Sequence, residues 1–236
     1  MRILVIAAIL CLFASCGGDA DTSATHTDPE IPAESTDIVE EVPVEVPEEI
    51  EYRTIEDYCG IASKDQLIAE FGEENITDGE SWYAEGTVCI QHSNLVNPEN
   101  GHVIKYLWEE DGNTLSSIEV SYYIFDEDYS IQGTQIISSE SGVNTGMSLQ
   151  DLVAWNGDDF DFFGFGWDYE GGILSEEGSE LGECPVQIKL SFDLETDIPE
   201  EYYGMYGDQV LSTADDNTVG APVLVDRLTY YPPMAP

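Results

Sequence analysis

The sequence predicts an α+β protein with two tandem repeats, each a short helix followed by an antiparallel meander. The first observation is internal similarity, because residues 63–87 align with residues 148–172 without a gap at a shift of 85 positions. Eight of about 24 aligned positions are identical, including Trp82 with Trp167. The second observation is that β-branched and aromatic runs, separated by turn residues, follow each helical pattern. Together they indicate duplication of one supersecondary unit.

The first 15 residues have the pattern of a secretion signal, with Arg2 before an apolar run that is too short to span a membrane. The sequence Phe13-Ala14-Ser15-Cys16 resembles the lipobox of bacterial lipoproteins, with Phe13 where leucine is usual. The resemblance implies cleavage before Cys16 and lipidation of its thiol. We therefore expect a lipoprotein anchored in the bacterial cell envelope, on the periplasmic or surface face of the outer membrane. The alternative is an ordinary signal peptide with an incidental cysteine.

Residues 16–52 form the predicted tether. After Cys16 this segment is rich in Thr, Ser, Pro, Asp and Glu, and it lacks Lys and Arg. Such a composition cannot bury enough apolar surface to offset the entropy of ordering, so we expect a disordered, extended spacer. It is interpreted either as a spacer towards a distant partner or as a generic lipoprotein linker.

The chain is strongly acidic, with 49 acidic and 6 basic residues and a formal net charge of −43. Phosphates would be repelled, which excludes nucleic acid as a partner. Anionic headgroups would also be repelled, so only lipid on Cys16 is expected to hold the chain to a membrane. The acidity is explained either by adaptation to a salty exterior or by binding of Ca²⁺ or a cationic partner.

The first repeat is predicted over residues 53–132. Ser63 and Gln66 form a capping box that begins a helix, and Gly72 ends it. Three strands are then predicted from their residue types and the intervening turns: Trp82–Gln91, His102–Glu109 and Leu115–Phe125.

The second repeat is predicted over residues 133–236, with Ser148 as the helix N-cap and Gly157 as its end. The strand at Val186–Phe192 matches the one around Lys105 at an offset of 84, whereas Arg227–Tyr231 matches Glu119–Tyr123 at 108. These offsets predict an insertion of about 24 residues within 193–221.

A segment that only one copy carries is a natural place for function. The candidate binding residues in the insertion are Tyr202, Tyr203, Met205 and Tyr206. The alternative is that these tyrosines cover an exposed sheet edge.

The glycine-rich segment Gly164–Gly172 supplies three further candidates. Phe165, Trp167 and Tyr169 alternate as on one strand and would form a ligand platform. The structural alternative, which the pairing of Trp82 with Trp167 favours, is that the aromatic residues fill the core.

Beyond the signal, the cysteines are Cys59, Cys89 and Cys184. An odd number in an oxidising compartment predicts one disulfide and one remaining thiol. Cys59–Cys89 is the preferred pair because it would join the first helix region to a following strand, and the other pairings stay open.

The sequence supports neither a catalytic site nor a cofactor or metal site. His92 and His102 flank a turn and could approach each other, but no third metal ligand is evident. Carboxylates cluster without the spacing of a twelve-residue Ca²⁺ loop, at Asp126-Glu127-Asp128, Asp158-Asp159-Phe160-Asp161 and Asp215-Asp216. Known nucleophile and phosphate-binding motifs are absent from the sequence.

Residues 142–172 contain Gly146-Met147-Ser148 and the motif Gly164-Phe165-Gly166-Trp167-Asp168-Tyr169. This stretch resembles uncharacterised bacterial envelope lipoproteins with a G-F-G-W-D-Y motif, which implies location and not activity. A weaker, fold-level resemblance is to tandem-repeat beta-lactamase-inhibitor-like proteins and small outer-membrane assembly lipoproteins.

These observations favour a non-catalytic binding module for a protein or other envelope component. The predicted binding surface is the sheet or the Tyr-rich insertion. The alternatives are an envelope hydrolase that uses paired carboxylates and a Ca²⁺-binding surface protein.

Overall fold

The computed structural model describes residues 53–83, 86–126, 128–167, 169, 171–174 and 178–232. The predicted signal, Cys16 and the tether lie outside the described residues. In the described part the helices are α1 (Lys64–Phe71), α2 (Leu149–Asn156) and α3 (Glu180–Glu183). The strands are β1 (Ile76–Tyr83), β2 (Val88–Val96), β3 (Val103–Trp108), β4 (Leu115–Ser121), β5 (Tyr123–Phe125), β6 (Ile131–Thr134), β7 (Asp161–Phe163), β8 (Ile173–Leu174), β9 (Val186–Phe192), β10 (Val210–Ser212) and β11 (Val223–Tyr230). Short 3-10 helices span Glu56–Gly60, Glu73–Asn75 and Glu200–Met205.

The largest sheet has six strands in the order β1-β2-β3-β4-β11-β9, and every neighbouring pair is antiparallel. The first four strands form a meander, and β4 pairs with β11 from the second half of the chain. Smaller sheets have the orders β10-β7-β8 and β5-β6. The predicted mixed α+β class with antiparallel sheets is confirmed for the described chain.

Both predicted helices are present with the predicted caps. The Ser63 hydroxyl accepts a hydrogen bond from the Gln66 N–H at 3.3 Å, and Ser148 accepts from Asp151 at 3.1 Å. Both helices end at a glycine with positive φ, 84° at Gly72 and 81° at Gly157. These caps satisfy backbone groups that a helix leaves unpaired at its ends.

The core lies between the helices and one face of the six-stranded sheet. On the central strands Tyr106 pairs with Ile118, and Val120 pairs with Leu228, so these residues point to one face. A single buried cluster joins them to both helices through Leu67, Phe71, Leu149 and Leu152. The other face of the sheet carries the polar residues of these strands.

The insertion packs against the second half of the molecule and lengthens its small sheet. Its strand β10 pairs with β7. The ring of Phe165 lies 4.5 Å from that of Phe192, and Phe192 lies 5.3 Å from Tyr206. The insertion is therefore a packed part of the fold.

Two local predictions are wrong. The single strand expected at Trp82–Gln91 is the hairpin end of β1 and β2, because Gly86 has a φ of 79° and its N–H donates to the Tyr83 carbonyl at 3.1 Å. The predicted strand Leu115–Phe125 divides into β4 and β5 at Tyr122, whose N–H bonds outside the ladder to the Asp226 carbonyl.

Candidate binding site on the polar sheet face

The sheet face opposite the core carries a connected group of polar side chains. Residues paired directly across antiparallel strands point to the same face, and Lys105 pairs with Glu119 while Arg227 pairs with Lys189. Glu119 also pairs with Thr229, two residues from Arg227 on β11, so all these residues share one face. We call this surface the polar sheet face and define it by Ser81, Tyr83, His92, Lys105, Glu119, Gln187, Lys189, Arg227 and Thr229.

Cationic side chains are concentrated on this face. Lys105, Lys189 and Arg227 are three of the six Lys and Arg residues of a chain whose formal net charge is −43. In so acidic a chain, scattered cations would each lie among carboxylates. These three cations instead share one face of the strands β3, β11 and β9, with Glu119 of β4 between Lys105 and Arg227.

Glu119 lies among these cations in a buried position. It is 9% exposed, and its Oε1 atom lies 3.7 Å from Arg227 Nη1. Burial lowers the pKa of Lys105, with Glu119 acting in the opposite direction and Arg227 lowering it further. Within the described residues Arg227 Nε is buried and has no hydrogen-bond partner. Glu119 is therefore the shared counter-charge of Lys105 and Arg227, and the Arg227 Nε–H group has no acceptor among the described residues.

A second group joins Ser81 and His92 to Lys105. The Ser81 hydroxyl lies 3.1 Å from His92 Nδ1, and Lys105 Nζ donates to it at 3.3 Å. Burial lowers the pKa of His92, and Lys105 lowers it further, whereas Asp78 raises it. The imidazole is therefore favoured in its neutral form at neutral pH. Gly79 makes this position possible, because a Cβ atom there would lie 2.7 Å from His92 Nε2.

A small cavity opens on the polar sheet face where β9 and β11 meet the β7–β8 hairpin. Its volume is about 220 Å³, and Lys189 and Arg227 line it together with Phe163 and Tyr169. The two aromatic rings lie 5.4 Å apart. The cavity therefore combines two cations with an aromatic wall.

The four candidates in the insertion do not form one surface. Met205 is 1% exposed and belongs to the core, and Tyr202 is half-buried with its hydroxyl donating to the Val219 carbonyl at 3.2 Å. Tyr203 and Tyr206 are 57% and 46% exposed and line an open depression beside Leu194. Only these two tyrosines are presented to a ligand.

The three candidates from the glycine-rich segment also separate. Phe165 is buried, as expected for a core residue, whereas Trp167 and Tyr169 are exposed. Trp82 is also exposed, at 62%, the same fraction as Trp167, so the expectation that this pair fills the core is wrong. In the described part of the segment, Phe165 and Gly172 make only isolated bridges, to Tyr206 and Lys189, and no strand is formed. Tyr169 lies at the cavity beside Lys189 and Arg227.

The preferred disulfide is not formed in the structure, where Cys59, Cys89 and Cys184 all have free thiols. Cys59 follows Tyr58, whose hydroxyl accepts from Asn97 Nδ2 at 3.1 Å, beyond the end of β2. Cys89 lies eight residues before Asn97, near the start of β2, which is about 26 Å along the strand at about 3.3 Å per residue. The Cys59 thiol donates to the Ile55 carbonyl at 3.3 Å.

The structure does not bring the two histidines together. His92 contacts Ser81 on the polar sheet face, whereas His102 Nδ1 lies 3.1 Å from the Tyr58 hydroxyl. Among the described residues no group of three or more His, Cys, Asp or Glu side chains is arranged to hold a metal ion. The carboxylates of Asp158, Asp159 and Asp161 line a separate open cavity of about 700 Å³.

Lys105, Lys189 and Arg227 are not among the residues singled out from the sequence. Two signals point to them: cations are scarce in this chain, and Lys105 and Lys189 align at the offset of 84 between the two predicted repeats. The convergence of β9, β11 and β4 depends on long-range strand pairing, which the linear pattern does not reveal.

Comparisons with models of known protein families, with curated proteins and with solved structures gave no match to this chain. None of the helices in the described part of the chain has the length and apolar composition needed to cross a membrane.

Proposed function

We propose that this protein is a lipid-anchored, non-catalytic binding module of the bacterial envelope, and that it binds an acidic group of a protein partner on the polar sheet face. The observation that carries the proposal is the gathering of Lys105, Lys189 and Arg227 on one face of a chain with a net charge of −43. Anchoring through Cys16 and the tether is proposed from the sequence pattern alone.

The partly buried environment of these cations supports a role in binding. Burial lowers the pKa of Lys105, which means that the fold disfavours its charged form. Buried charges in an incompletely neutralised group are weak contributors to stability. An incoming carboxylate would add counter-charge beside Lys105 and Arg227, which share Glu119.

The net charge restricts the kind of partner. A polyanion such as nucleic acid would meet repulsion from the rest of the surface. Repulsion between exposed charges is screened beyond about 8 Å at physiological ionic strength. A discrete carboxylate on an otherwise neutral or basic protein can therefore reach the cations without that penalty.

We also propose that the globular part arose by tandem duplication. The helices α1 and α2 have eight residues each and begin 85 residues apart, as do β1 and β7, and β2 and β8. The pair Lys189 and Arg227 corresponds to the pair Lys105 and Glu119 at the offsets of 84 and 108. On this proposal the polar sheet face joins equivalent strands of two copies.

Site-specific photocrosslinking of the full-length protein in its own envelope tests the binding proposal. A benzophenone amino acid replaces Gln187 on the polar sheet face, Tyr203 in the insertion, or Asp65 on α1, all of which are exposed. We expect one partner to crosslink from position 187 and not from position 65. A partner that crosslinks only from position 203 would place the site on the insertion, and no specific crosslink from any position would contradict a binding module.

A second candidate function is hydrolysis, which the Ser81 contacts favour. A hydroxyl beside a neutral imidazole and an ammonium group is arranged for activation as a nucleophile. A fluorophosphonate probe would then label Ser81 in the full-length protein and leave Ser81→Ala unlabelled. Equal behaviour of the two proteins would eliminate this candidate.

A further inference from the structure

The cavity between the aromatic pair and the two cations has the composition of a specific subsite. Lys189 and Arg227 lie on its sheet side, and Phe163 and Tyr169 form a wall from the β7–β8 region. Such a lining offers charge at one end and apolar contact at the other. It therefore selects a ligand that has both features.

Arg227 supplies the sharpest indication of what binds. Its Nη1 atom is 3.7 Å from Glu119, which is beyond hydrogen-bond distance, and its buried Nε atom has no hydrogen-bond partner within the described residues. The Nε atom itself is enclosed, so a ligand in the cavity would not reach it. The Arg227 side chain is nevertheless 30% exposed and lines the cavity, so its terminal nitrogens can donate to a planar oxyanion there.

The cavity volume limits how much of the ligand is enclosed. About 220 Å³ lies below the range of roughly 300–1,000 Å³ that is usual for sites enclosing a whole small ligand. The cavity therefore accommodates one group of a larger molecule. Thr229 and Gln187 at its border provide further polar contacts.

We propose that this cavity binds a carboxylate next to an aromatic or apolar group, as at an acidic or C-terminal residue of a protein partner. Arg227 and Lys189 hold the carboxylate, and Phe163 and Tyr169 contact the apolar group. The inference rests on the proposed binding function and names the group that is recognised.

Calorimetric titration of the full-length protein tests the subsite with three probes. Phenylacetate carries the free acid, phenylacetamide is its neutral control, and N-acetylphenylalanine represents a peptide C-terminus. We expect both acids to bind at least tenfold more tightly than the amide, and N-acetylphenylalanine to bind more tightly than phenylacetate. Phenylacetate as the tighter acid would assign the site to free small acids, which overturns the protein-derived source.

Substitutions test whether the probes bind in this cavity. Arg227→Gln and Lys189→Gln should each weaken N-acetylphenylalanine at least tenfold, and Arg53→Gln, a cation outside the cavity, should leave it unchanged. Lys189→Gln keeps the Arg227–Glu119 pair, so the test holds even where Arg227→Gln does not fold. Equal affinity for phenylacetate and phenylacetamide would overturn the subsite proposal. So would a loss of N-acetylphenylalanine affinity in Arg53→Gln as large as that in the two cavity variants. If a partner crosslinks from position 187 but no carboxylate probe binds, the subsite proposal is wrong and the binding function stands. If a carboxylate probe binds but nothing crosslinks, the proposal of a protein partner is wrong.

Discussion

His92 shows how a single glycine determines the chemistry of the polar sheet face. Gly79 lies directly across the β1–β2 pair, and only the absence of a Cβ atom allows the imidazole to lie over it. From there the ring reaches Ser81, and burial lowers its pKa below the ordinary value of 6.5. The sequence showed Gly79 as a repeated position, but it did not reveal that a histidine side chain occupies the space.

The lowered pKa of His92 predicts a pH dependence of stability. The unfolded chain binds the proton at about pH 6.5, whereas the folded chain binds it only at lower pH. The stabilising contribution is therefore complete above pH 6.5 and is lost as the pH falls towards the folded-state pKa.

Urea unfolding of the wild type and His92→Gln between pH 7.5 and 5.5 measures this effect. We expect the free energy of unfolding of the wild type to decrease relative to that of the variant as the pH falls. His102, whose pKa burial also lowers, should give a separate and additive difference when replaced by Gln. Parallel curves for wild type and His92→Gln would contradict the account.

At the scale of elements, local signals predicted the helices well and the glycine-rich segment poorly. The caps at Ser63 and Ser148 depend on residues three positions away, so the sequence is sufficient. The conformation of Gly164–Gly172 depends on residues that are distant in sequence, because the insertion packs against this segment. No spacing rule identifies that contact, which explains why a strand was expected there.

Substitution of Gly164 tests whether the insertion is an integral part of the fold. A Cβ atom at this position would lie 2.6 Å from the Gly207 carbonyl oxygen and 2.8 Å from that of Met205. Since backbone atoms cannot move aside as a side chain can, Gly164→Ala should cost about 1–3 kcal/mol of unfolding free energy.

Gly133→Ala is the matched control, because a Cβ atom there would meet nothing within 4 Å. Thermal unfolding should show a clear decrease in Tm for Gly164→Ala and little change for the control. Equal Tm values for the two variants would mean that the insertion is only loosely attached.

At the scale of the whole molecule, the cations are unevenly distributed. The chain has a net charge of −43, and three of its six Lys and Arg residues lie on the polar sheet face. Composition alone predicted the first property and the exclusion of nucleic acid. The second required the pairing of β11 with β9 and that of β4 with β11, and the latter joins residues more than a hundred positions apart.

Self-repulsion in so acidic a chain predicts stabilisation by salt. The screening length falls from about 10 Å at 0.1 M to about 3 Å at 1 M salt. Because the compact state holds the carboxylates closer together than the unfolded chain does, the Tm should rise between these NaCl concentrations. A Tm that falls over this range would show that ion pairs outweigh repulsion.

Capture of partners from envelope extract is the most direct test of the polar sheet face. The full-length wild type is compared with Lys105→Gln/Lys189→Gln and with Arg53→Gln/Lys64→Gln, two variants that lower the net charge equally. Lys64, at the start of α1, forms an ion pair with Asp78 at 2.6 Å and lies outside the polar sheet face. The second variant therefore controls for charge alone. Circular dichroism establishes that each protein is folded, and mass spectrometry identifies what it retains. We expect the wild type and the Arg53/Lys64 variant to capture the same partner and the Lys105/Lys189 variant to lose it. Equal capture by all three folded proteins would contradict the assignment of binding to this face.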